Sequence, residues 1–297
     1  MRFFYFLTLV SSFFFLISSS FKPKPSAKSA LKVLNGFANF IPNGSVIVDQ
    51  DTSTVQSFYM SSTEVSNLQY LEFLSFLKRT GQSEKYQIAK IDSSLWERSF
   101  INAYLIPMAD HYHNHPAYNN YPVVNISKEA ANMYCDWLTD VYDSLSGGEL
   151  SLKFRLPTRE EWLRAARGED IDAPYAWGGP FLRNSKGCFL ANFVQIGSGN
   201  ITRDQETGEF KVIIDSQLNY DADIAFVTAP VESYFPNAFG LYNMNGNVSE
   251  MIADQDIVVG GDWSSPGYDI RNESFKTYTG PHPTVGFRVI ATYLQPK

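Results

Sequence analysis

One short segment brings amide, backbone and carboxylate oxygens together in a Gly-containing turn. It reads Gly240-Leu-Tyr-Asn-Met-Asn-Gly-Asn-Val-Ser-Glu250. Hard oxygen ligands on a loop suit Ca²⁺ rather than Zn²⁺ or copper. Because Asn-Gly turns are common and a lone Glu usually has a structural partner, the alternative is a hydrogen-bonded turn without a metal. On its residues alone, the segment is a candidate calcium loop.

Three histidines alternate in His111-Tyr-His-Asn-His115. In an extended chain His111, His113 and His115 would share one face, about 6.6 Å apart. Three imidazoles on one face could hold a transition metal. That spacing is too wide for one ion unless the chain bends, and the following Pro116 indicates a loop. A zinc or iron site and a solvated or structurally bonded loop therefore both stay open.

Signatures of nucleophilic catalysis are absent from the sequence. It has no Gly-x-Ser-x-Gly, no phosphate-binding P-loop and no His-Glu-x-x-His. Of the two cysteines, Cys135 lies beside an apolar position of a predicted helix, which favours a buried and inert thiol. Cys188 follows a glycine, and whether the two thiols pair cannot be read from their spacing.

Three helices must position these segments, and each begins with a recognisable cap. Ser66 and Gln69 form a capping box, as do Thr158 and Glu161. Ser127 can cap the helix that lies between them. The apolar positions predicted to face the core are Leu68, Leu71, Leu74 and Leu77 in the first helix, Ala130, Tyr134, Trp137, Leu138 and Val141 in the second, and Trp162, Leu163 and Ala166 in the third.

Outside the helices the chain consists of short apolar runs broken by Gly, Pro and Asn. Residues 197–223 are polar and acidic and are expected to form a surface insertion, in which residues 210–214 are a candidate hairpin strand. The fold class predicted is α+β, with long ordered loops and little regular secondary structure. The other strands are predicted at residues 45–48, 58–60, 226–231, 257–259 and 286–293.

The N-terminus resembles a secretory signal. Arg2 precedes an apolar run from Phe3 to Ile17, and serines follow. The run is shorter than the about 20 residues of a spanning helix, so we expect export with cleavage near Ser20, an uncleaved membrane anchor being the alternative. No cysteine lies at the cleavage zone, so no lipid anchor is expected. The resulting division is a signal peptide at 1–20, a flexible lead-in at 21–32 and a single domain at 33–297.

Composition limits the classes of partner. The chain of 297 residues has 24 Lys and Arg against 31 Asp and Glu, a formal charge of −7. With a sequence pI near 5.2 and no run of basic residues, it offers nothing to neutralise a phosphate backbone. Nucleic acid is therefore not an expected partner.

A series of phrases in order along residues 36 to 291 resembles the formylglycine-generating-enzyme (sulfatase-modifying factor) family. The resemblance implies the compact, loop-rich α+β fold of that family, which is related to C-type lectins. The phrases are Phe58-Tyr-Met-Ser-Ser-Thr-Glu-Val-Ser-Asn67, Tyr121-Pro-Val-Val-Asn-Ile-Ser127, Tyr134-Cys-Asp-Trp137, Phe154-Arg-Leu-Pro-Thr-Arg-Glu-Glu-Trp162, the Gly240 to Glu250 segment, Gly260-Gly-Asp-Trp263 and Gly286-Phe-Arg288.

Two further phrases are similar to a subgroup that contains the gliding-motility and type IX secretion proteins GldK and GldJ. They are His115-Pro-Ala-Tyr-Asn-Asn-Tyr-Pro122 and the run from Tyr175 to Phe193. Members of that subgroup are envelope components and are not known as oxidases. The resemblance therefore implies an exported protein that is periplasmic, or associated with the outer membrane and extracellular, and that has envelope protein partners.

The resemblance also implies two calcium sites. The first family site maps onto Asn192, Phe193, Asp223 and Ala225, where only the Asn and the Asp need particular side chains. The second maps onto Asn243, Gly246, Val248 and Glu250, of which the Asn and the Glu supply side-chain oxygens and the other two supply backbone carbonyls.

The chain departs from the family pattern at the catalytic centre. Catalytic members oxidise a substrate cysteine with copper held by two cysteines, because soft thiolates bind Cu(I). The corresponding positions are Ser265 and Ile270, and Asp262 replaces the family's serine. A hydroxyl and an alkyl group cannot replace two thiolates, so copper is not expected.

Three function classes follow from these features. The first is a non-catalytic module of a bacterial envelope machine, with a retained groove lined near Asp262, Trp263 and Arg288. The second is an oxidoreductase on the same scaffold, either formylglycine-generating or a non-haem iron oxidase that uses the histidine cluster. The third is a carbohydrate-binding module, by analogy with the lectin-related fold.

Overall fold

A computed structural model describes residues 25–99, 106–195, 201–203, 207–212, 225 and 227–293. Helices α1 to α7 span Ala27–Phe37, Asn67–Arg79, Ser83–Ala89, Leu95–Ser99, Ile106–His111, Lys128–Ser146 and Arg159–Arg167, and a 3₁₀ turn lies at Pro116–Tyr118. Strands β1 to β12 span Ala38–Ile41, Gly44–Val48, Asp51–Val55, Phe58–Ser61, Leu152–Arg155, Ile201–Arg203, Phe210–Val212, Ser249–Met251, Ile257–Val259, Phe275–Thr277, Val285–Gly286 and Ile290–Tyr293.

The strands form two four-stranded sheets and two hairpins. The first sheet has the order β1-β4-β12-β5 and is antiparallel, with Ile290 of the central strand opposite Met60 on one side and Arg155 on the other. The second sheet has the order β10-β9-β8-β11, in which β11 and β8 are parallel. Hairpins β2–β3 and β6–β7 stand apart. Short strands and helices in this mixed order confirm the α+β class.

The predicted helices begin at their predicted caps. At the start of α2, the Ser66 hydroxyl accepts the Gln69 N–H at 3.3 Å and the Gln69 side chain accepts the Ser66 N–H at 2.9 Å. Thr158 and Glu161 make the same reciprocal pair at α7, and Ser127 caps α6. Since these side chains bond backbone N–H groups that have no partner inside the helix, local sequence determines where each helix begins.

Two apolar cores lie on the two faces of the first sheet. Helices α1, α2 and α6 cover one face, where the ring of Phe73 lies 5.8 Å from that of Tyr134 and 5.5 Å from that of Trp137. Helix α7 and the β2–β3 hairpin cover the other face around Trp162, which is fully buried. The predicted inward faces of α6 and α7 are thus largely correct.

Two helix predictions need correction. The fold begins before Val33, because α1 runs from Ala27 and is capped by the Ser26 side chain, so the predicted lead-in is partly helical. In α2 the buried face is made by Tyr70, Phe73, Leu74 and Leu77, while Leu68 and Leu71 are half-buried. Aromatic side chains fill the space against α6 and so rotate the helix away from the leucine stripe.

Two strand predictions also differ from the structure. The run predicted at 286–293 is divided into β11 and β12, because the backbone between them turns to place Arg288 inward. The strand predicted at 226–231 does not form over residues 227–231, whose backbone bonds loop residues instead. Ala229 N–H donates to Asn247 Oδ1 at 2.7 Å, and Val231 N–H donates to the Asn120 carbonyl at 2.8 Å. Within the acidic insertion, Phe210–Val212 is a hairpin strand as predicted.

We expect replacement of Trp162 by Ala to lower the free energy of unfolding by about 3 to 5 kcal/mol, because it removes a fully buried ring. Trp137→Ala should cost a similar amount, since that ring is 8% exposed. Urea unfolding followed by circular dichroism measures both. Trp162→Phe is the matched control, because it keeps an aromatic ring at the site while losing part of the indole volume and the N–H that bonds Glu250, so it should cost less than the Ala variant. Losses below about 1 kcal/mol for both Ala variants would contradict the burial.

Candidate functional site

A buried ion pair lies at the centre of the candidate site. The Arg288 guanidinium donates to Glu250 through Nη2 at 2.6 Å and through Nε at 2.8 and 2.7 Å. Arg288 is 0% exposed and Glu250 1%. Trp162 Nε1 donates to the same carboxylate at 2.7 Å. The pair joins β8, α7 and the segment between β11 and β12, and removing either charge would leave the other unpaired in a dry interior.

A second carboxyl group, Glu64, faces the same guanidinium. It is 0% exposed, and burial raises the pKa of Glu64 to about 8, although the charge of Arg288 opposes the shift. Its oxygens accept the amide of Asn247 at 2.7 Å and that of Asn243 at 3.3 Å. Burial therefore favours the protonated form of Glu64, and Glu250 is the carboxylate that bonds the guanidinium directly.

The Asn243 to Glu250 loop is tied to Asn192 by close backbone contacts. Asn247 N–H donates to the Asn192 carbonyl at 2.8 Å. Gly246 has φ +78°, and a Cβ there would lie 2.3 Å from the same carbonyl oxygen, so only glycine fits. Asn247 is fully buried, and its Oδ1 accepts from Ala229 N–H. The loop is thus held by its own amides to the neighbouring segments.

The side chains of this loop do not present the ligand set expected for calcium. Both oxygens of Glu250 accept from Arg288 and Trp162, and the Asn243 amide nitrogen is directed at Glu64 and the Val231 carbonyl. A cation there would compete with the Arg288 guanidinium for the Glu250 carboxylate. The donor set Asn243, Gly246, Val248 and Glu250 therefore fits calcium poorly, and the metal prediction for this loop stays a prediction.

The donors around Asn192 fit calcium better. Asn192 is 1% exposed, and its Oδ1 is buried without a hydrogen-bond partner in the described part of the chain, whereas its Nδ2 donates to the Val227 carbonyl at 2.7 Å. An unsatisfied buried amide oxygen is a ligand suited to a hard cation. Phe193 is buried beside it and Ala225 is half-buried. Asp223, the predicted charged ligand, lies outside the described residues.

A second polar cluster surrounds Asp262, which is 2% exposed. Its Oδ2 accepts the Ser249 hydroxyl at 3.0 Å and Lys276 Nζ at 3.1 Å. The same ammonium donates to Ser265 Oγ at 2.7 Å. Oδ1 accepts both the N–H and the hydroxyl of Ser264 at 3.0 and 2.6 Å. Lys276 reaches this buried carboxylate from β10, with its own side chain 46% exposed.

The family resemblance assigns copper ligands to the positions of Ser265 and Ile270, and both side chains make other contacts in this chain. Ser265 Oγ is bonded to Lys276 Nζ and to Asp262 N–H, the latter at 3.1 Å. Ile270 is 0% exposed and packs in an apolar cluster with Tyr175 and Phe193. Neither position offers a thiolate. The two cysteines lie elsewhere, Cys135 buried in α6 and Cys188 on an exposed loop, and both are free thiols.

The three histidines do not converge. His113 is buried, its Nδ1 lies 3.0 Å from Asn67 Oδ1, and burial lowers the pKa of His113 to about 3. His111 and His115 are exposed, and their ring centroids are 6.1 Å apart. The chain bends into helix and turn here, so alternate side chains no longer share a face. No group of three or more His, Cys, Asp or Glu suited to a metal occurs in the described residues.

The predicted groove residues separate in the structure. Arg288 is fully buried with Glu250, so the expectation that it lines a groove is wrong. Asp262 is buried beneath Lys276, and Trp263 is half-buried with its ring 6.5 Å from that of Trp96.

Sequence reasoning missed Lys276 and Asn247. Lys276 lies on an exposed strand without any motif around it. Asn247 stands in the quoted loop, but its role depends on contacts with distant segments. Glu64 lies in a quoted phrase and was not singled out, because a single carboxylate in a strand-to-helix turn carries no signal of burial.

This fold and this buried loop define a member of the sulfatase-modifying factor class. The model of the sulfatase-modifying factor enzyme 1-like domain matches residues 19–293, so the chain belongs to that family.

Among known proteins, the chain is 25% identical to the formylglycine-generating enzyme of Mus musculus over 250 residues, covering 78% of this chain and 55% of that protein. It is 30% identical to the inactive C-alpha-formylglycine-generating enzyme 2 of Bos taurus over 136 residues, covering 46% and 33%. The chain thus spans about half the length of the mouse protein and about a third of the length of the bovine protein. The crystal structure of CarF matches with a TM-score of 0.54 at 18% identity, covering 87% of this chain and 98% of CarF, which shows the shared fold.

We expect Arg288→Met and Glu250→Gln each to lower the free energy of unfolding by about 3 to 5 kcal/mol, because each leaves the other partner buried and unpaired. The double variant should cost less than the sum of the two. Denaturant unfolding of all four proteins gives the coupling energy. The matched control is Arg98→Met, which breaks an exposed pair with Asp92 and should cost at most about 1 kcal/mol. Additive single-variant losses would contradict a coupled pair.

Proposed function

We propose that the protein is an exported, non-catalytic member of its family that acts as a binding or assembly module of a bacterial envelope machine, of the gliding-motility and type IX secretion kind. Envelope proteins, rather than nucleic acid, would be its partners. The observation that carries the proposal is the contact between Lys276 and Ser265. Ser265 stands at one of the two positions where catalytic members carry a copper ligand, and its hydroxyl oxygen accepts a hydrogen bond from an ammonium group instead.

The charge around this position supports the proposal. Asp262 and Ser265 both accept from Lys276, so the cluster is already electrically balanced without a metal. The second ligand position, Ile270, is surrounded by aromatic rings, and a Cβ on Gly261 would lie 2.7 Å from its Cγ2. Bringing a soft cation to this place would require displacing Lys276 and would still leave no sulfur ligand.

The relatives support the proposal as precedent. The family contains proteins named as formylglycine-generating enzymes and proteins named as inactive counterparts, and this chain matches both. A scaffold that persists without catalysis therefore already occurs in the family. What distinguishes this chain is the identity of residues 262, 265 and 270, rather than its degree of similarity to either group.

Export and an envelope location are supported by sequence features only. These are the basic and apolar N-terminal run and the phrases at 115–122 and 175–193. In the part of the chain that the structure describes, no helix is long and apolar enough to cross a membrane. An envelope role on this basis requires protein partners, and the described surface is where they would bind.

An oxidase that uses different chemistry has less support. Its local argument was the histidine cluster, and the structure separates the buried His113 from the exposed His111 and His115. A carbohydrate-binding role depends on analogy with lectin-related folds alone. Both remain outcomes that the experiments below can detect.

The first test is an assay for aldehyde formation. We expect the protein, supplied with Cu(I) and oxygen, to leave a Cys-containing sulfatase peptide unchanged in mass, because residues 265 and 270 carry no thiolate. A catalytic family member is the positive control. The triple variant Ser265→Cys, Ile270→Cys, Lys276→Ala should gain tight copper binding, measured by competition with a Cu(I) chelator, whereas Lys276→Ala alone should not. Aldehyde formation by the unmodified protein would refute the proposal.

The proposal includes a calcium site that has Asn192 as a ligand. We expect Ca²⁺ to raise the thermal midpoint, since a ligand at 100 times its Kd stabilises the native state by about 2.7 kcal/mol. The effect should be lost in Asn192→Leu, which removes the unpartnered Oδ1, and kept in Asn243→Ala, whose amide nitrogen is directed at Glu64. Melting curves with Ca²⁺, Mg²⁺ and a chelator measure this. Equal Ca²⁺ shifts in all three proteins would refute the Asn192 site.

A further inference from the structure

A wide surface groove lies beside the closed catalytic position, and we call it the Phe181 groove. Its volume is about 690 Å³. One wall is the segment that follows Trp177, and the other is the turn that follows Ser265. Its lining residues are Pro180, Phe181, Leu182, Arg183, Phe189, Phe193, Val194, Gln195, Pro266, Gly267 and Tyr268.

The two walls of the Phe181 groove are fixed to each other. Val194 N–H donates to the Ser265 carbonyl at 2.9 Å, and the Tyr175 hydroxyl donates to the Gly267 carbonyl at 2.8 Å. At Gly267 the walls meet, because a Cβ there would lie 2.3 Å from Leu182 Cδ1. The base of the groove is therefore closed and does not need to form when a ligand binds.

The wall around Phe181 is also ordered by its own hydrogen bonds. Trp177 Nε1 donates to the Phe181 carbonyl at 2.8 Å, and Leu190 N–H donates to the Leu182 carbonyl at 3.1 Å. Arg183 and Phe189 form a bridge across this turn. A preformed wall lowers the entropy that must be lost when a partner binds.

Large aromatic rings at the rim face solvent. Phe181 is 76% exposed and Tyr268 is 68% exposed, while Phe189 and Phe193 between them are buried. Two such rings flanking an apolar floor are unusual on a surface that has no partner, and this kind of patch is typical of an interaction site.

The charge of the Phe181 groove is opposite to that of the whole chain. Arg183 is its only charged lining residue, and its guanidinium carbon lies 3.5 Å from the centroid of Phe189. The guanidinium carbon of Arg271 lies 4.1 Å from the centroid of Tyr268. In the described part of the chain neither arginine makes an ion pair with a carboxylate. The run from 175 to 195 contains two basic residues and no acidic one, in a chain of formal charge −7.

We propose that the Phe181 groove binds an extended, acidic segment of a partner protein, with carboxylates at Arg183 and Arg271 and apolar side chains on the groove floor. Stacked guanidinium groups that lack a counter-ion suit carboxylates. Of the described lining residues, Arg183, Gln195 and Tyr268 alone carry polar side chains and the other eight are apolar or glycine, which favours a peptide with apolar side chains over a glycan. This assignment rests on the proposed role as a binding module and names the partner's chemistry.

The experiment is selection of a displayed library of random 12-residue peptides on the full chain. We expect enriched sequences to contain Asp or Glu alternating with apolar residues. A synthetic peptide of the enriched sequence, followed by fluorescence anisotropy, should bind at least tenfold more weakly to Arg183→Glu and to Arg271→Glu. Its affinity should also fall as salt is added, because the contacts are at the rim.

The matched control is Lys85→Glu, which makes the same charge change at an exposed position of α3 and should alter the affinity less than twofold. Phe181→Ala should weaken binding without changing the salt dependence. Failure to enrich any sequence, enrichment of basic sequences, or equal losses in Lys85→Glu and Arg183→Glu would overturn the assignment. So would Arg183-dependent binding of an anionic oligosaccharide in place of peptides. The aldehyde assay is independent of all these outcomes, so this assignment can fail while the non-catalytic role stands.

Discussion

The structure depends on Arg288, the most deeply buried arginine of the described residues. Its guanidinium is matched by the carboxylate of Glu250 and faces Glu64, whose pKa is raised by burial. Through Glu250 it meets the indole of Trp162 in α7, and through Glu64 it meets Asn247 of the Gly-containing loop. A charge in a dry interior is tolerated only where its hydrogen bonds are complete. Helix, strands and loop must therefore occupy fixed places around it, which is how a fold with little regular structure remains specific.

The same electrostatic rule explains the neighbouring cluster. Asp262 is as deeply buried as the core carboxylates, yet its cation arrives from the surface, on the side chain of Lys276. A lysine can supply charge but not a vacant coordination position, and it changes no oxidation state. The contact keeps the local charge balance of the scaffold, because Asp262 is buried and Lys276 supplies the matching charge. Under the proposed non-catalytic role, the cation beside position 265 serves stability alone.

The local sequence allowed more of the helices than of the candidate site to be predicted. Capping boxes at Ser66 and Thr158 and the apolar spacing around Trp162 depend on residues a few positions apart, so they could be predicted. The contacts of Lys276 with Ser265, and of Asn247 with Glu64, join residues far apart in sequence. A single sequence does not show which distant residues will be in contact. For the same reason, the predictions that Leu68 and Leu71 of α2 are fully buried and that Arg288 lines a groove differ from the structure.

A rigid centre has consequences for the surface. The turn that carries Ser265 continues directly into Pro266, Gly267 and Tyr268, so the network that closes the catalytic position also fixes one wall of the Phe181 groove. In a catalytic family member this turn must accommodate a metal and a reacting cysteine. Under the proposed non-catalytic role this turn meets neither demand, and its exposed Tyr268 is available for contact with a partner. The turn then contributes both to the hydrogen-bonded position at Ser265 and to the rim of the Phe181 groove.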